Sequence, residues 1–584
     1  MSIHPATPGA PWLEIAEGSA PVLLIAPHGG RAGPATSATL HPKVNDLHTA
    51  EITRELAARL GATALINTGM DRNALDCNRL GQLATQAPWL LGMIAQRLED
   101  LVARHGRALT ILIHGWNVIE PRIDFGLGLK AAKGVLRAHG AACVSASDAF
   151  IHGPLANLAE RLREHGIIPT VGLRYPAGGS QNLLQAFTER FRESANEPLR
   201  RLARLAAAGA IDALQLEMSV ALRWPGSLRQ RSVEAIAETF SRPPAPARAR
   251  TPITIVRTSA KPPSPRPPKR PAATLPVRLG MEFFDLAARI GVIASFDIGH
   301  SANGARFILL LDGSRVALFT SEGKPTHDSE RIARGPLALR HDGERIALGF
   351  KGPALISPDR IGYLSVEHSL AAGTLQEAAE IAISLQPRTA WMNLGSLLSA
   401  LQQATPILAS PAAFGSVTGR LGVDGIIKQL EAIGRIGHSF AGIGNARFRS
   451  RRMLWAYFPG HPTVRAVEAF LLTRHDGGEE SHGRLFAGVE TAACAVKTFE
   501  LEAPSPEASP NRLAALLIRP NGVESLLVGE VQSSLPLSRP GPDLSRVHTS
   551  LGFARFRLDG HEGAGMFEYS RCAEAPDGAS EEDD

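Results

Sequence analysis

The stretch ALTILIHGWN at residues 108–117 begins as a run of apolar residues and turns polar at His114. VLLIAPHGG at 22–30 has the same form, with His28 followed by two glycines. Short apolar runs bounded by turn-forming residues are typical of strands that a sheet buries on both faces. The sequence therefore predicts two buried strands, each with a histidine at its carboxyl end.

Segments with helical periodicity alternate with further strands of this kind. HTAEITRELAARLG at 48–61 and WLLGMIAQRLEDLVARHG at 89–106 repeat apolar residues every three to four positions, and each ends at a glycine. The neighbouring strands are ATALINT at 62–68, PTVGLRY at 169–175 and ALQLEMS at 213–219. Apolar strands that alternate with amphipathic helices predict an α/β domain, whose mostly parallel sheet carries helices on both faces.

A stretch rich in proline and arginine, residues 242–276, separates this domain from the rest of the chain. Proline fixes φ and removes a hydrogen-bond donor, so neither a helix nor a central strand persists there. We therefore predict three parts: an α/β domain at 1–241, a semi-rigid linker at 242–276 and a further region at 277–584.

The region after the linker has a different pattern. ARFILLLDGSRVALFTSEG at 305–323 and FARFRLDGHEGAGMFEYS at 553–570 consist of short apolar runs joined by Asp-Gly turns. Such turns are typical of hairpins, so this region is predicted to be mainly antiparallel β, as two packed sheets or barrels. One helical insertion is expected at 424–435.

Composition excludes several classes of protein. The net charge of +6 over 584 residues is too dilute to indicate nucleic-acid binding. The 4 cysteines contain no CxxC pair, which argues against a disulfide framework and a cysteine zinc site. The amino-terminal segment does not have the pattern of a signal peptide, and no apolar run reaches the ~18 residues of a membrane span. A cytoplasmic protein is the expectation.

The histidines at the strand ends are candidate metal ligands. Ligands of open α/β sheets gather beyond the carboxyl ends of the strands. Catalytic zinc commonly takes two histidines and one carboxylate and keeps one position for water. His28 and His114 supply the imidazoles, and the segment VNDLHTAE at 44–51 offers Asp46 or Glu51, with His48 as a fourth candidate.

Glu217 is a carboxylate inside an apolar strand. Burial of a charged group is costly unless the group is paired or has a chemical role. Glu217 is therefore either a general base beside the metal or the ion-pair partner of Arg223, six residues further on.

Two polar loops complete the candidate site. In DRNALDCNR at 71–79, Asn78 and Arg79 are suited to hold a substrate carboxylate, although Asp76 and Arg79 could equally form a helix-capping pair. In the loop at 175–181, Gly178 and Gly179 allow the backbone to approach a ligand, but a simple turn explains them equally well.

The motifs PHGG, HTAEITRELA, DCNR, ILIHGWN, RYPAGG and LQLEMSVALR occur in one order over residues 20–225. In this the chain resembles the N-formylglutamate amidohydrolase family, which is similar in fold to zinc carboxypeptidases and aspartoacylase. The resemblance implies one Zn²⁺ ion held by His28, an acidic residue and His114. It also implies that Asn78 and Arg79 bind a substrate carboxylate, and that Glu217 acts as general base and proton shuttle.

The chain departs from these relatives at three positions. Arg31 stands where carboxypeptidases have the glutamate of HxxE, so the acidic ligand must be Glu51 or Asp46, and Glu51 is favoured. Leu112 and Gly115 replace the aspartate and serine that usually flank the second histidine. The expected substrate-binding set is Asn78, Arg79, Gly178, Gly179 and Arg223.

The end of the chain, 553–570, is similar to the lipocalin-like β domains of the hydroxyneurosporene-synthase group. Sheets of that kind could enclose an apolar ligand. The expected function is zinc-dependent hydrolysis of the amide bond of an N-acyl amino acid, including N-formyl ones, or of a related small carboxylate. The alternative is a degenerate hydrolase domain fused to a β domain that binds an apolar small molecule without catalysis.

Overall fold

The structure is a computed structural model, and the chain divides into two compact units, Met1–Arg270 and Pro271–Asp584. It describes residues 3–5, 10–30, 43–132, 135–138, 140–241, 255–256, 277–298, 304–311, 314–358, 370, 372–389, 393–403, 411–423, 425–438, 448–488, 490–502, 509–540 and 546–573. The predicted linker, residues 242–276, lies outside the described residues except for 255–256.

The first unit contains a mixed sheet. The strands of this unit are β1 (Ile3–Pro5), β2 (Leu13–Ala16), β3 (Val22–Ala26), β4 (Thr63–Asn67), β5 (Ala108–Trp116), β6 (Arg122–Gly126), β7 (Leu129–Ala132), β8 (Val135–Ala138), β9 (Ile168–Val171), β10 (Ile211–Ser219) and β11 (Ile255–Val256). Eight of them form one sheet in the order β1-β2-β4-β3-β5-β10-β6-β9, and β11-β8-β7 form a small second sheet. In the large sheet, β3–β4, β3–β5, β5–β10 and β6–β9 are parallel pairs, and the other three pairs are antiparallel. The sheet is thus less uniformly parallel than the sequence pattern indicates.

Helices cover both faces of this sheet. They are α1 (Thr49–Leu60), α2 (Leu80–Gln86), α3 (Pro88–His105), α4 (Asp148–Phe150), α5 (Ala156–Glu164), α6 (Glu197–Ala207), α7 (Val220–Arg223) and α8 (Ser227–Phe240), with short turns at Ala141–Cys143, Ile151–Leu155, Leu183–Phe187 and Glu189–Phe191. Helix α3 packs against α6, whereas α1 and α5 pack against α8. Every residue of β3 and β10 is buried, which requires cover on both faces. The alternation of helices with buried strands in this unit is therefore as the sequence predicts, although the sheet is mixed rather than mostly parallel.

Local sequence explains where the main helices begin and end. Helix α3 has Pro88 in its first turn, where the missing N–H costs nothing. Helices α1 and α3 end at Gly61 and Gly106, with φ of 63° and 76°, a conformation that favours glycine. These boundaries place α1 directly after the loop that carries Asp46.

The first half of the second unit is an antiparallel barrel with an extension. Its strands are β12 (Val277–Asp285), β13 (Ile290–Ile298), β14 (Gly304–Leu311), β15 (Arg315–Glu322), β16 (Thr326–His327), β17 (Arg331–Arg334), β18 (Leu337–His341), β19 (Ile346–Ser357), β20 (Thr374–Pro387), β21 (Ala412–Val423) and β22 (Ile426–His438), with the helix α9 (Leu394–Gln403) between β20 and β21. The order is β15-β14-β13-β12-β22-β21-β20-β19-β18-β17-β16. Pairing of β15 with β19 closes eight of these strands into a ring, and β16 to β18 extend it.

The second half of this unit is a closed antiparallel barrel of eight strands. They are β23 (Ser450–Tyr457), β24 (Ala466–Thr473), β25 (Glu479–Ala487), β26 (Glu490–Glu502), β27 (Arg512–Ile518), β28 (Glu524–Pro540), β29 (Arg546–Leu558) and β30 (His561–Ala573), and each pairs with the next. Alternate residues of all eight strands fill its interior, and the opposite face of several strands packs against the first barrel. Within the described residues, the predicted antiparallel β region is thus confirmed as two eight-stranded barrels.

The helical insertion expected at 424–435 is wrong, because residues 426–435 belong to the strand β22. Burial alternates there with period two: Leu430 and Ala432 are buried, whereas Ile427 is 80% exposed. Apolar residues three apart, such as Ile427 and Leu430, fit one face of a helix but lie on opposite faces of a strand. A helix of this region that the structure describes, α9, lies about 30 residues earlier, at Leu394–Gln403.

None of the helices in the described part of the chain combines the length and the apolar character that a membrane crossing requires.

Candidate metal centre

The strand ends of the first unit bring together the two predicted histidines. His28 is the second residue after the end of β3, and His114 lies near the end of the adjacent strand β5. The loop before α1 returns to the same place, because the N–H of Asp46 donates to the carbonyl of His28 (2.9 Å). Three potential ligands from distant parts of the sequence therefore meet at one edge of the sheet.

The three side chains present one ligand atom each to a common point. Oδ2 of Asp46 lies 3.2 Å from Nδ1 of His28 and 3.2 Å from Nδ1 of His114. All three ligand atoms lie within 4.8 Å of one another, and all three residues are buried. The imidazole rings stand nearly perpendicular, at 76°, with their centres 5.0 Å apart.

The hydrogen bonds of His28 show that this donor set fits a cation. Nε2 of His28 lies 2.6 Å from Oδ1 of Asp76, so this nitrogen carries the proton and Nδ1 of a neutral ring presents its lone pair. That lone pair faces another acceptor, Oδ2 of Asp46. Two acceptors at this distance need a positive charge, from a second proton or from a metal ion.

The chemistry and spacing of these three ligand atoms fit a metal ion. Two imidazoles and one carboxylate are a frequent ligand set for catalytic Zn²⁺. With zinc–ligand bonds of about 2.0–2.2 Å, ligand atoms at the corners of a tetrahedron lie about 3.3 Å apart. The two measured separations from Asp46 Oδ2, both 3.2 Å, agree with that value.

Neighbouring charged groups hold these ligands in orientation. Arg72 donates from Nη1 to Oδ1 of Asp46 (3.2 Å), the oxygen that does not face the imidazoles. Asp76 binds His28 and also accepts from the backbone N–H of Asn78 (3.0 Å). Hydrogen bonds of this kind fix the ring orientation and the tautomer of a ligating histidine.

Glu217 lies beside this cluster. Strands β5 and β10 are parallel neighbours, and their register pairs Glu217 with His114. The carboxylate is 5% exposed, and Nε2 of Gln215 donates to its Oε1 (2.7 Å). On its other side the register pairs Glu217 with Asp124, whose carboxylate accepts backbone N–H groups of Leu173, Arg174 and Tyr175.

Burial and neighbouring charges shift the acidities of the carboxylates. Burial raises the pKa of Glu217 to about 7, and the negative charges of Asp46 and Asp124 act in the same direction. Burial also raises the pKa of Asp46, but when a second proton rather than a metal supplies the positive charge at His28, that charge and hydrogen bonds from His114 and His28 hold the pKa well below its usual range. For Asp76, hydrogen bonding and the charge of His28 likewise outweigh burial, so its pKa is lowered.

Glu51, the acidic ligand favoured by the sequence, lies elsewhere. Its side chain is about half exposed on the first turn of α1, and its carboxylate lies 3.9 Å from Nδ1 of His48. The ring of His48 packs edge-on against Trp224 with ring centres 4.7 Å apart. The structure thus places Asp46 beside the two imidazoles, because the loop turns back to β3 before α1 directs Glu51 outward.

The predicted substrate-binding segments lie next to each other. Arg79 forms an isolated antiparallel bridge with Asn182, and the N–H of Leu80 donates to the carbonyl of Gln181 (2.8 Å). The guanidinium of Arg79 is about half exposed, with Nε 3.8 Å from Asp76. Oδ1 of Asn78 accepts from the N–H of Leu183 (3.3 Å).

The two glycines of the neighbouring loop differ in their surroundings. Gly178 is buried, and its carbonyl accepts from Nη1 of Arg190 (3.0 Å). Gly179 is exposed, with open space where a Cβ would lie, so at this position the loop is accessible to a ligand.

Arg223, expected to bind substrate, is fully buried instead. Its guanidinium donates to backbone carbonyls of Met218 (3.0 Å), Leu47 (2.6 Å) and Trp116 (3.4 Å), and to the side chain of Asn117 (3.0 Å). These contacts are made within the unit, below the surface that a substrate reaches.

Two residues with a clear place in the site receive no role from the sequence. From the sequence, Asp76 is only a possible helix-capping partner of Arg79, although it directly precedes the Cys-Asn-Arg segment that indicates a binding loop. Arg72 lies four residues before Asp76, on the same loop. The sequence signal that could have identified both residues is their position on a short polar loop after the strand β4.

Several solved structures are similar to this chain. An N-formylglutamate amidohydrolase from Ralstonia eutropha JMP134 shares 12% identity and covers 39% of this chain and 95% of its own, with a TM-score of 0.27. CghA in complex with Sch210972 shares 12% identity and covers 51% of this chain and 89% of its own, with a TM-score of 0.33. Kievitone hydratase from Nectria haematococca shares 11% identity and covers 51% and 90%, with a TM-score of 0.27.

No protein-family model matches the chain, and neither does any curated protein. An N-formylglutamate amidohydrolase is among the solved structures that this chain resembles, as the motifs of residues 20–225 predict.

Proposed function

We propose that the first unit is a metal-dependent hydrolase, with zinc as the expected ion, that cleaves the amide bond of an N-acyl amino acid or a related small carboxylate. The observation that carries this proposal is the meeting of His28 Nδ1, His114 Nδ1 and Asp46 Oδ2 within 4.8 Å, next to a buried glutamate. Bound there, the metal would make water acidic and polarise the acyl oxygen.

The ligands in this proposal are His28, His114 and Asp46, in place of Glu51. Their contacts support it, because hydrogen bonds from neighbouring side chains orient His28 and Asp46. His28 is held by Asp76, and Asp46 is held by Arg72 through its second oxygen. Nε2 of His114 is buried and has no hydrogen-bond partner among the described residues, so a proton there leaves Nδ1 free to coordinate.

Glu217 is the proposed general base. Its register position beside His114 places the carboxylate next to the point where water would be activated. Gln215 holds one carboxylate oxygen, so the other is the better placed to accept a proton. Glu217 would take the proton of the attacking water and pass it to the leaving amide nitrogen.

Arg79 and Asn78 are proposed to hold the carboxylate of the substrate. The half-exposed guanidinium of Arg79 can present two parallel N–H groups to a carboxylate. Because Oδ1 of Asn78 accepts from the backbone of Leu183, its amide group is oriented with the nitrogen available to donate. The exposed Gly179 on the adjoining loop lets the substrate approach the backbone of the protein closely.

The test is a Glu217→Gln variant assayed against a panel of N-formyl and N-acetyl amino acids. We expect zinc content to remain as in the natural chain, whereas turnover falls roughly 10²- to 10⁴-fold, the usual contribution of a general base. Glu234→Gln, on the exposed face of α8, is the matched control and should leave both unchanged. Full turnover in the Glu217 variant, or in chelator-treated protein, would contradict the proposal.

The apolar ligand of the alternative function stays a prediction. In the described residues, side chains from all eight strands fill the interior of the second barrel, including Leu454, Val467, Leu513, Phe556 and Phe567. This packing does not favour an apolar ligand inside that barrel.

A further inference from the structure

The guanidinium of Arg223 links three segments that are far apart in sequence. It binds the carbonyl of Leu47, which follows Asp46, and the carbonyl of Met218, which follows Glu217. It also binds the carbonyl of Trp116, two residues after His114. Each of the three segments thus carries one residue of the candidate site and is bonded to the same side chain close to that residue.

Chemistry explains why an arginine occupies this place. A buried charge is costly unless its donors are satisfied, and Arg223 is fully buried. The planar guanidinium has five N–H groups that point in fixed directions, so one side chain can bond several carbonyls from different segments. Lysine has a single nitrogen on a flexible stem and cannot reproduce this set of directions.

Gly115 provides the space for this guanidinium. A Cβ at residue 115 would lie 2.7 Å from Cζ and 2.7 Å from Nη1 of Arg223, and 3.0 Å from Cβ of Asp46. Any side chain at this position would displace the guanidinium or Asp46. The glycine next to His114 thus has a steric reason in this chain.

We infer that Arg223 is a positioning residue that holds the segments of Asp46, His114 and Glu217 in register, and that Gly115 is required to admit it. The role toward the metal rests on the function proposed above. Arg223 touches neither substrate nor metal in this role; it sets the separation of the groups that do. Strands β5 and β10 pair directly as far as Trp116 and Ser219, and the guanidinium connects this pair to the loop at Leu47.

The first test measures the three segments directly, on metal-free protein. Arg223→Lys is compared with the natural chain by hydrogen–deuterium exchange mass spectrometry. Leu98→Ala, a truncation in the buried face of α3, is the control for general loss of stability. We expect exchange to accelerate together in peptides covering 44–50, 113–119 and 216–221 in the Arg223 variant, and not selectively there in the Leu98 variant.

The second test measures the affinity for Zn²⁺ and Co²⁺ by competition with a chelator, together with the visible spectrum of the Co²⁺-loaded protein. We expect Arg223→Lys to weaken affinity roughly 10- to 100-fold, as changes around metal ligands typically do, and to alter the cobalt bands. Gly115→Ala should do the same. In the double variant the two losses should not add, because both remove the same contact.

The outcomes separate this inference from the proposed function. Unchanged exchange in the three segments, or a change no more selective than that of Leu98→Ala, overturns the role of Arg223 while leaving the metal centre intact. Additive losses in the double variant overturn the role of Gly115. If the natural chain binds neither metal, the proposed function fails, and the exchange experiment still decides whether Arg223 holds the segments together.

Discussion

Asp46 shows how a single residue defines the candidate centre. Its two carboxylate oxygens have different partners, because Oδ2 faces both imidazoles and Oδ1 accepts from Arg72. A carboxylate held in this way is oriented to donate one oxygen to a cation. Glu51, five residues later, lies on the first turn of α1 and is about half exposed.

Replacement of Asp46 by asparagine should therefore remove metal binding. The amide keeps the size of the side chain but loses the negative charge, and we expect affinity for Zn²⁺ to fall by roughly 100-fold or more, beyond what a change outside the ligand set causes. Metal content after gel filtration and chelator competition measure this. The matched control is Glu51→Gln, which should bind zinc normally; loss of zinc in this variant alone would make Glu51 the ligand.

Asp76 should matter through the tautomer of His28. Its Oδ1 accepts the Nε2 proton and so directs the lone pair of Nδ1 toward the centre. In Asp76→Asn the side-chain amide can instead donate to Nε2, which favours a proton on Nδ1. We expect zinc affinity to fall roughly 10- to 100-fold with the fold retained. Titration with Zn²⁺ at constant pH checks this, and an affinity equal to that of the natural chain would contradict it.

At the residue scale, the sequence identifies the groups that lie on regular strands or directly after them. His28, His114 and Glu217 follow from the position of strand ends, which periodicity shows. Asp46 and Asp76 lie on loops, where side-chain direction depends on turns that periodicity does not report. The sequence assigns Arg223 to the substrate because a charge near the site suggests a ligand, whereas its backbone contacts require the three-dimensional path of three separate segments.

Strand β22 shows the same difference at the scale of an element. Its sequence spaces apolar residues at 427, 430, 433 and 436, a pattern that also fits one face of a helix. Pairing with β21 and β12 along most of its length makes it a central strand of the first barrel. Pairing with strands from elsewhere in the chain, rather than local periodicity, decides that this segment is a strand. Such dependence on context is a general property of β-structure.

The two sides of β22 should respond differently to substitution. Ile427 is 80% exposed and Leu430 is 1% exposed, whereas a helix would place both on one face. Ile427→Thr should change the free energy of unfolding by less than about 0.5 kcal/mol. Leu430→Ala should lower it by about 2–5 kcal/mol through the cavity it leaves. Urea unfolding followed by circular dichroism measures both, and similar losses would argue for a helical segment.

The elements of the first unit are the easier part of the fold to predict. Helices α1 and α3 have clear amphipathic patterns and glycine ends, and the buried strands between them are continuous apolar runs. The direction of the strands is harder to predict, because β2 pairs antiparallel with β4 and β6 pairs antiparallel with β10, and nothing in their own sequences shows it. In the second unit, Asp-Gly turns identify hairpins, but closure into two barrels depends on distant pairs such as β15 with β19.

At the scale of the whole molecule, buried charges join the two barrels of the second unit. Arg435 on β22 donates from Nη1 to Glu282 (3.0 Å) in the first barrel and from Nε to Glu468 (2.7 Å) in the second. Arg484 on β25 also binds Glu468. Apolar contacts surround this network, including the stacked rings of Phe284 and Phe553. The barrels are therefore held together by a polar network within an apolar core.

Removing the guanidinium at the centre of this network should destabilise the second unit. Arg435→Met leaves Glu282 and Glu468 buried with fewer donors, and breaking a buried ion pair in this way typically costs about 3–5 kcal/mol. Urea unfolding measures the loss. Arg420→Met is the matched control, because Arg420 pairs with Glu380 at the surface, where such pairs contribute about 0–1 kcal/mol. Equal losses in the two variants would show that the buried network contributes no more than a surface pair.

The same network predicts how stability depends on pH. Burial alone would raise the pKa of Glu468, but the charges of Arg435 and Arg484 outweigh it and lower this pKa below 4.5. The unfolded chain then binds the proton more readily than the folded chain, so the stabilisation from Glu468 is complete above about pH 4.5 and is lost as pH falls through the folded pKa. Glu468→Gln should have a lower free energy of unfolding at pH 7 and a weaker decline toward about pH 3. Parallel pH profiles for the two proteins would show that this carboxylate does not contribute to the acid sensitivity of the unit.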